Sequence, residues 1–258
     1  MPSLAVRPIA ATLALTGVLL YGGLSLAQEQ PKDPAPPRPY KKVAVSLPVP
    51  IADASFDAFR KRLGEIAERK DRAALATLIV SKGFFWEQEG GQGVDEKKSG
   101  IDNFAAATGL DSKDGSGWEF LADYAAEPTA SPVEGREDMA CTPGSPKFND
   151  DEFVQLVKDT ETNPIEWGYP LKDGIEVRED TEPNSKPVEK LGLHFVRVVF
   201  DEAPPDKGDA MLRIVTPSGK LAFMAADMLS PLGIDQLCYV KQSGAWKIAG
   251  YIGEGPPH

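Results

Sequence analysis

The chain has 258 residues, 28 basic against 39 acidic side chains, a net charge of −11 and only two cysteines. That length can bury a sizeable core in one large or two small domains, so no disulfide lattice is needed. The acidity argues against general affinity for nucleic acid or anionic lipid, which carry charge of the same sign.

Residues 1–27 read as a secretory signal peptide. Met1 to Arg7 carry one positive side chain and no negative one. Pro8 to Leu26 form an apolar run, and Ser25-Leu26-Ala27 puts small residues at the exit. Charge, apolar stretch and small-x-Ala is the signal-peptide order, and cleavage is expected between Ala27 and Gln28. A retained anchor is the competing reading. A spanning helix needs roughly 20 apolar residues, and this run approaches that length while holding Pro8, Gly17, Gly22 and Gly23. No cysteine stands near the exit, so a lipid anchor is not expected. After cleavage the chain keeps 27 of its 28 bases and all 39 acids, a net charge of −12. The expected location is periplasmic or secreted, without stable membrane insertion.

Residues 28–50 hold seven prolines and read as an extended, semi-rigid linker. Val43, Val45 and Leu47 alternate, which predicts a short strand lying on the folded body at the end of the linker.

Residues 51–162 are predicted to be mainly α-helical. Ser55 or Asp53 can cap a run in which Phe56, Phe59, Leu63, Ile66 and Ala67 recur on one face. A second short run starts at Asp71. Phe84-Phe85-Trp86 is predicted to be buried. Residues 87–100, rich in glycine and charge, read as a mobile loop. They lack the elements of a phosphate-binding loop, so nucleotide binding is rejected there. Helices follow at about 100–108, 116–125 and 150–159, separated by a stretch broken by proline and glycine from Pro128 to Pro146. Asp150, Asp151 and Glu152 suit the first turn of the last helix, where negative charge meets the helix dipole. That accounts for the acid cluster without a metal.

From Asn163-Pro164 the period changes to two, and residues 163–258 are predicted to be β. Strands are expected at Ile175–Arg178 and His194–Phe200. Met211–Thr216 and Lys220–Met224 flank the turn Thr216-Pro217-Ser218-Gly219, and Leu237–Lys241 and Ala245–Ile252 flank Gln242-Ser243-Gly244. Short strands with frequent turns suggest a small β-barrel. The fold class is therefore α+β, a helical domain followed by a barrel.

Two segments carry a family resemblance. Gly174-Ile175-Glu176-Val177-Arg178-Glu179, followed by Pro183-Asn184-Ser185-Lys186-Pro187-Val188, resembles the opening of bacterial SH3-like (SH3b) domains. Pro217-Ser218-Gly219-Lys220-Leu221-Ala222-Phe223-Met224 is similar to their sGkxGWV hairpin, with Ala-Phe-Met for Gly-Trp-Val. The resemblance spans about residues 170–232. The closing strands, with Ser243-Gly244-Ala245-Trp246-Lys247, look like the tail of exported proteins that place such a barrel after a helical segment. The resemblance implies an SH3-like barrel with an interaction role, contacting peptidoglycan or a partner protein of the envelope, and no catalysis by the barrel.

The remaining chemistry is sparse. Trp167 and Tyr169 are expected nearest a surface, as candidates to line a sugar or peptide groove, and Trp246 is expected in the core. In an oxidising compartment Cys141 and Cys238 can form one bridge. Closing their loop of 97 residues would stabilise by at most ~4–5 kcal/mol. Two separate buried thiols remain the alternative. His194, inside a strand, reads as structural. HExxH, GxSxG, SxxK and CxxC are absent from the sequence, which removes support for zinc peptidases, serine hydrolases, penicillin-type transpeptidases and thiol oxidoreductases. No catalytic, cofactor or metal residue is assigned. The expected function is a non-catalytic binding or scaffold protein of the envelope. The alternative is a cell-wall hydrolase with an unrecognised site in the helical domain.

Overall fold

The computed structural model describes residues 36–255 except 134, 183 and 201–210. The described residues lie in one compact unit, Pro34–His258. The predicted signal segment, residues 1–27, and residues 28–35 of the predicted linker lie outside the described residues.

The fold is α+β. Helix α1 (Ala54–Arg69) starts where Asp53 Oδ1 accepts from the Ser55 amide at 2.8 Å, and it ends at Lys70 in the left-handed region. Its buried stripe is Phe56, Phe59, Leu63, Ile66 and Ala67, the face expected from their spacing. Helix α2 (Arg72–Ala76) follows at once, capped by Asp71. Strand β1 (Phe85–Gln88) turns back into a two-residue strand β2 (Gly91–Gln92). Helices α3 (Gly100–Thr108) and α4 (Ser116–Ala126) come next, then strands β3 (Ser131–Val133) and β4 (Arg136–Thr142). The stretch expected to be broken by proline and glycine thus contains an antiparallel pair, with a register shift that accommodates Pro132.

Helix α5 (Asp150–Thr160) is capped by Asn149 and carries its three acids in the first turn. A 3₁₀ turn at Pro164–Glu166 leads into β5 (Trp167–Pro170). Then come β6 (Ile175–Arg178), β7 (Pro187–Leu191), β8 (Val196–Val199), β9 (Met211–Val215) and β10 (Leu221–Ala225). Another 3₁₀ turn, Ala226–Met228, precedes β11 (Leu229–Pro231). Strands β12 (Gln236–Gln242) and β13 (Ala245–Ile252) form the last hairpin.

These strands form two open sheets. The first has the order β2-β1-β13-β12-β4-β3 and the second β11-β5-β8-β9-β10-β6-β7. The last hairpin, expected to close the barrel, instead occupies the centre of the first sheet. There β13 runs parallel to β1 and β12 runs antiparallel to β4. The division expected at residue 163 is therefore not the division of the sheets. The second sheet is an insertion between β4 and β12, and the chain returns from it to complete the first. The physical reason is burial. Leu237, Tyr239, Ile248 and Tyr251 join Phe56, Leu63, Leu75, Phe104 and Leu121 in the largest core, so the terminal strands cover the apolar faces of the helices.

The second sheet is strongly curled. Strand β10 and strand β11 are separated by β9, β8 and β5, four strand spacings or roughly 19 Å in a flat sheet. Only three residues connect Ala225 to Leu229, a reach of at most about 14 Å. The sheet must bend to bring those edges together. Ile175, Val177, Leu191, Val196, Val198, Ile214, Ala222 and Met224 pack inside the bend.

Residues 36–50 lie on this body. Val43 and Val45 are buried, and isolated bridges join Ala44 to His194, Ser46 to Lys147 and Pro50 to Thr129. The alternation of Val43 and Val45 correctly marked a segment that lies on the body, though only as isolated bridges. The segment packs with Phe153, Leu156, Trp167, Tyr169 and Phe195 in a separate core.

Candidate functional site

Trp167 and Tyr169, expected near a surface, are both buried. The reason is that α5 and residues 40–45 cover the face of β5 on which they stand. Tyr40 meets the Trp167 ring edge-on, with centroids 5.0 Å apart, and the Trp167 indole N–H donates to Thr162 Oγ1 at 2.8 Å. Trp167 lines none of the grooves described below, and Tyr169 borders a small uncharged one. Trp246 departs from expectation in the opposite direction. It is only partly buried, and its indole N–H donates to Ser55 Oγ at 3.1 Å. His194 is buried, with Nδ1 3.2 Å from the Phe195 carbonyl oxygen. Burial holds its pKa below the usual histidine value.

Cys141 and Cys238 are brought together. They stand directly opposite on β4 and β12, with sulfurs 1.96 Å apart, at bonding distance. Both are fully buried beside Phe85, on the face of the first sheet away from the helices. Cys141 precedes the inserted sheet and Cys238 follows it, so the pair sits where the chain leaves the first sheet and re-enters it.

The segment expected as a mobile loop makes the best candidate site. Residues 87–100 form the β1–β2 turn and then a bend held from beneath by Asn103. The Asn103 Oδ1 accepts from the Asp95 amide at 2.9 Å, and its Nδ2 donates to the carbonyls of Asp95 (3.0 Å) and Ser99 (3.3 Å). Asp95 Oδ1 accepts from the Lys97 amide at 2.9 Å and its carbonyl accepts from the Lys98 amide at 3.0 Å. A short asparagine thus fixes the backbone that presents Lys97 and Lys98. Gly100 is required below the bend, since a Cβ there would lie 2.0 Å from the Val80 carbonyl oxygen.

Beside this bend lies a groove of about 790 Å³. Its floor is Phe84, Phe85 and Val94, and Lys82, Lys97 and Lys98 reach into its rim. Among the described residues these three lysines make no ion pair, although acids surround them in the sequence. The acids nearby are otherwise engaged. The Ser99 hydroxyl donates to Asp102 Oδ2 at 2.6 Å and Arg72 Nη2 donates to Oδ1 at 2.7 Å, which together hold the Asp102 carboxyl below the usual carboxylate range. Glu87 pairs with Arg136, whose guanidinium lies 3.6 Å from the centre of the Phe85 ring. Glu96 alone adds a negative charge to the lining.

Other grooves differ in character. One of about 340 Å³ between residues 39–43 and α5 is bordered by Asp151, Glu152 and Asp159, and its one lysine, Lys41, is paired with Glu152 at 2.8 Å. Another, of about 320 Å³ around Phe148, Tyr169 and Leu232, holds no charged side chain. A fourth groove, of about 280 Å³, combines Phe59, Leu78 and Trp246 with Arg62 and Lys247 and no acid; the lysine groove is set apart by its larger volume and by three lysines against one acid. No cluster of three or more metal-ligating side chains occurs among the described residues. Sequence reading missed the lysines because a charge run in a glycine-rich stretch looks like solvated loop. The usable signal was Asp95, Ser99 and Asn103, side chains able to fasten a bend to a helix start.

Comparison with known proteins adds little. No family model matches the chain, and no curated protein matches it. Among solved structures, a Xanthomonas campestris protein described as a calcium/calmodulin dependent protein kinase II association domain shares 9% identity, with a TM-score of 0.24. That match covers 85% of this chain and 98% of the other, and at such a score it carries no argument about either fold or function. Among the described residues no helix is long and apolar enough to cross a membrane.

Proposed function

We propose that this is an exported, non-catalytic binding or scaffold protein of the cell envelope, in which the inserted sheet is an SH3-like module. The observation that carries the binding reading is the lysine groove: a braced loop, an apolar floor and three unpaired ammonium groups, an arrangement suited to holding a ligand.

Two features support the SH3-like reading. The hairpin β9–β10, which carries the Pro217-Ser218-Gly219-Lys220 resemblance, lies next to β6, which carries Ile175–Arg178. The last strand of the insertion, β11, pairs with its first, β5, in a curled sheet whose edges, β11 and β7, stay unpaired with each other. Export is supported by the charge, apolar run and small-residue exit of residues 1–27. A cysteine pair at bonding distance suits an oxidising compartment.

The decisive experiment incubates the purified protein with isolated peptidoglycan sacculi and follows both fractions. Retention of the protein without release of soluble muropeptides is expected. Release of fragments would replace the binding reading by that of a wall hydrolase. No retention would make an envelope protein the better partner. Export has its own test: protein from the osmotic-shock fraction should begin at Gln28 by intact mass, and recovery of the uncleaved chain in the membrane fraction would refute cleavage.

A further inference from the structure

We propose that the groove between the β1–β2 turn and α3 binds a short acidic peptide, with carboxylates on Lys82, Lys97 and Lys98 and an apolar side chain against Phe84, Phe85 and Val94. The inference rests on the binding reading and names the ligand class for a site in the first sheet, outside the SH3-like insertion.

Charge complementarity selects the occupant. The whole chain is acidic, yet three lysines against one acid, Glu96, line this groove, and none of the three makes an ion pair among the described residues. Their ammonium groups are strongly hydrated point charges on flexible stems, which suit several separate carboxylates better than one planar, bidentate anion. The loop beneath them is already ordered by Asn103 and Asp95, so a ligand need not order that backbone on binding. The lining includes the edges of the largely buried Phe84 and Phe85 rings and the half-buried Val94, a small apolar surface that an apolar side chain can meet. A peptide with acids at some positions and an apolar side chain at another meets both walls. The Ser81 and Ser99 hydroxyls and the Gln92 amide border the same space and can meet peptide backbone groups.

Exposed amine–carboxylate contacts are individually weak, so three lost together should weaken binding by roughly tenfold. The test uses the full mature protein and a fluorescently labelled hexapeptide of alternating glutamate and leucine, read by anisotropy. The same measurement is made with the glutamine–leucine peptide. Tighter binding of the glutamate peptide is expected, with about a tenfold loss in the triple variant Lys82→Gln, Lys97→Gln, Lys98→Gln. A control triple at exposed lysines outside the groove, Lys61→Gln, Lys172→Gln, Lys190→Gln, should bind as the parent does. High salt should weaken the parent and leave the groove variant little changed. Equal binding of the two peptides, or equal loss in both triples, would overturn the proposal. Unchanged circular dichroism and melting temperature exclude misfolding of the variants. Sacculus retention with no peptide binding removes this inference alone; peptide binding with no retention removes the wall reading alone.

Discussion

The two sheets differ in how far their pairings reach. The second lies wholly between Trp167 and Pro231: β6–β7, β8–β9 and β9–β10 join consecutive strands, while β5–β8, β10–β6 and β11–β5 reach across the insertion. The first draws β1 to β4 from one side of that insertion and β12 and β13 from the other. Its central parallel pair joins Phe85 to Gly250, residues far apart in sequence. Gly250 is needed there because a Cβ would lie 2.2 Å from the Phe85 ring. The second sheet's longest pairing, Leu229 with Pro170, stays within the insertion, whereas the first gains its pairing of Phe85 with Gly250 only when a far longer loop closes. The lesson is that local pairing can be read along the chain, but the order of a discontinuous sheet cannot.

Reduction should test the contrast most severely. The cysteine pair spans the insertion and closes a loop of 97 residues. Reducing it, or replacing both cysteines by alanine, should lower stability to denaturant by up to about 4–5 kcal/mol. Intact mass should rise by the two hydrogens of one bridge. Two free thiols in the purified exported protein would remove the staple from this account.

Trp167→Ala probes the insertion. The ring is fully buried against Tyr40 and α5, and its loss should cost about 3–5 kcal/mol. Hydrogen exchange should accelerate first in residues 167–199 and 211–231, with slower change in residues 236–252. Equal acceleration in both sheets would mean that they open as one unit.

On the first sheet's side, Asn103→Leu should cost about 1–3 kcal/mol, because it leaves the amides and carbonyls of residues 95–99 without their buried partner. Amide protection at residues 95–99 should fall, while the second sheet keeps its own. Asn149→Ala, which removes the cap of α5, should cost about 1 kcal/mol, visible as a small drop in denaturation midpoint.

The mildest change is in pH. His194 is buried neutral between residues 43–45 and the second sheet, with Lys42 disfavouring and Glu189 favouring its charged form. Its folded pKa is lowered, so its contribution to stability is complete above the unfolded value near 6.5 and is lost as pH falls through that value towards the folded pKa. Thermal melts between pH 7.5 and 5 should show a decline that His194→Phe flattens. An equal decline in the variant would assign the effect to other groups.

Much of the local structure was legible. The apolar spacing from Phe56 to Ala67, the cap at Asp53 or Ser55, the helix start at Asp71, the cap at Asn149, and the hairpins at Pro217-Ser218-Gly219 and Gln242-Ser243-Gly244 are short-range signals, and all correspond to observed elements, with Asp53 as the cap used. The site was less legible. Lys97 and Lys98 look like ordinary solvated charge until Asn103, several residues on, is seen to hold their backbone. Trp167 and Tyr169 looked accessible because nothing local reveals that residues 40–45 return to cover them.

The sequence by itself determined where helices and six of the thirteen described strands form, the α+β character and the acidity, because these depend on periodicity, capping and composition within a few residues. Tertiary structure alone decided that the last hairpin completes the first sheet, that Cys141 meets Cys238 and that three lysines border one groove. Each of those depends on which apolar faces can be buried together, a property of the whole chain.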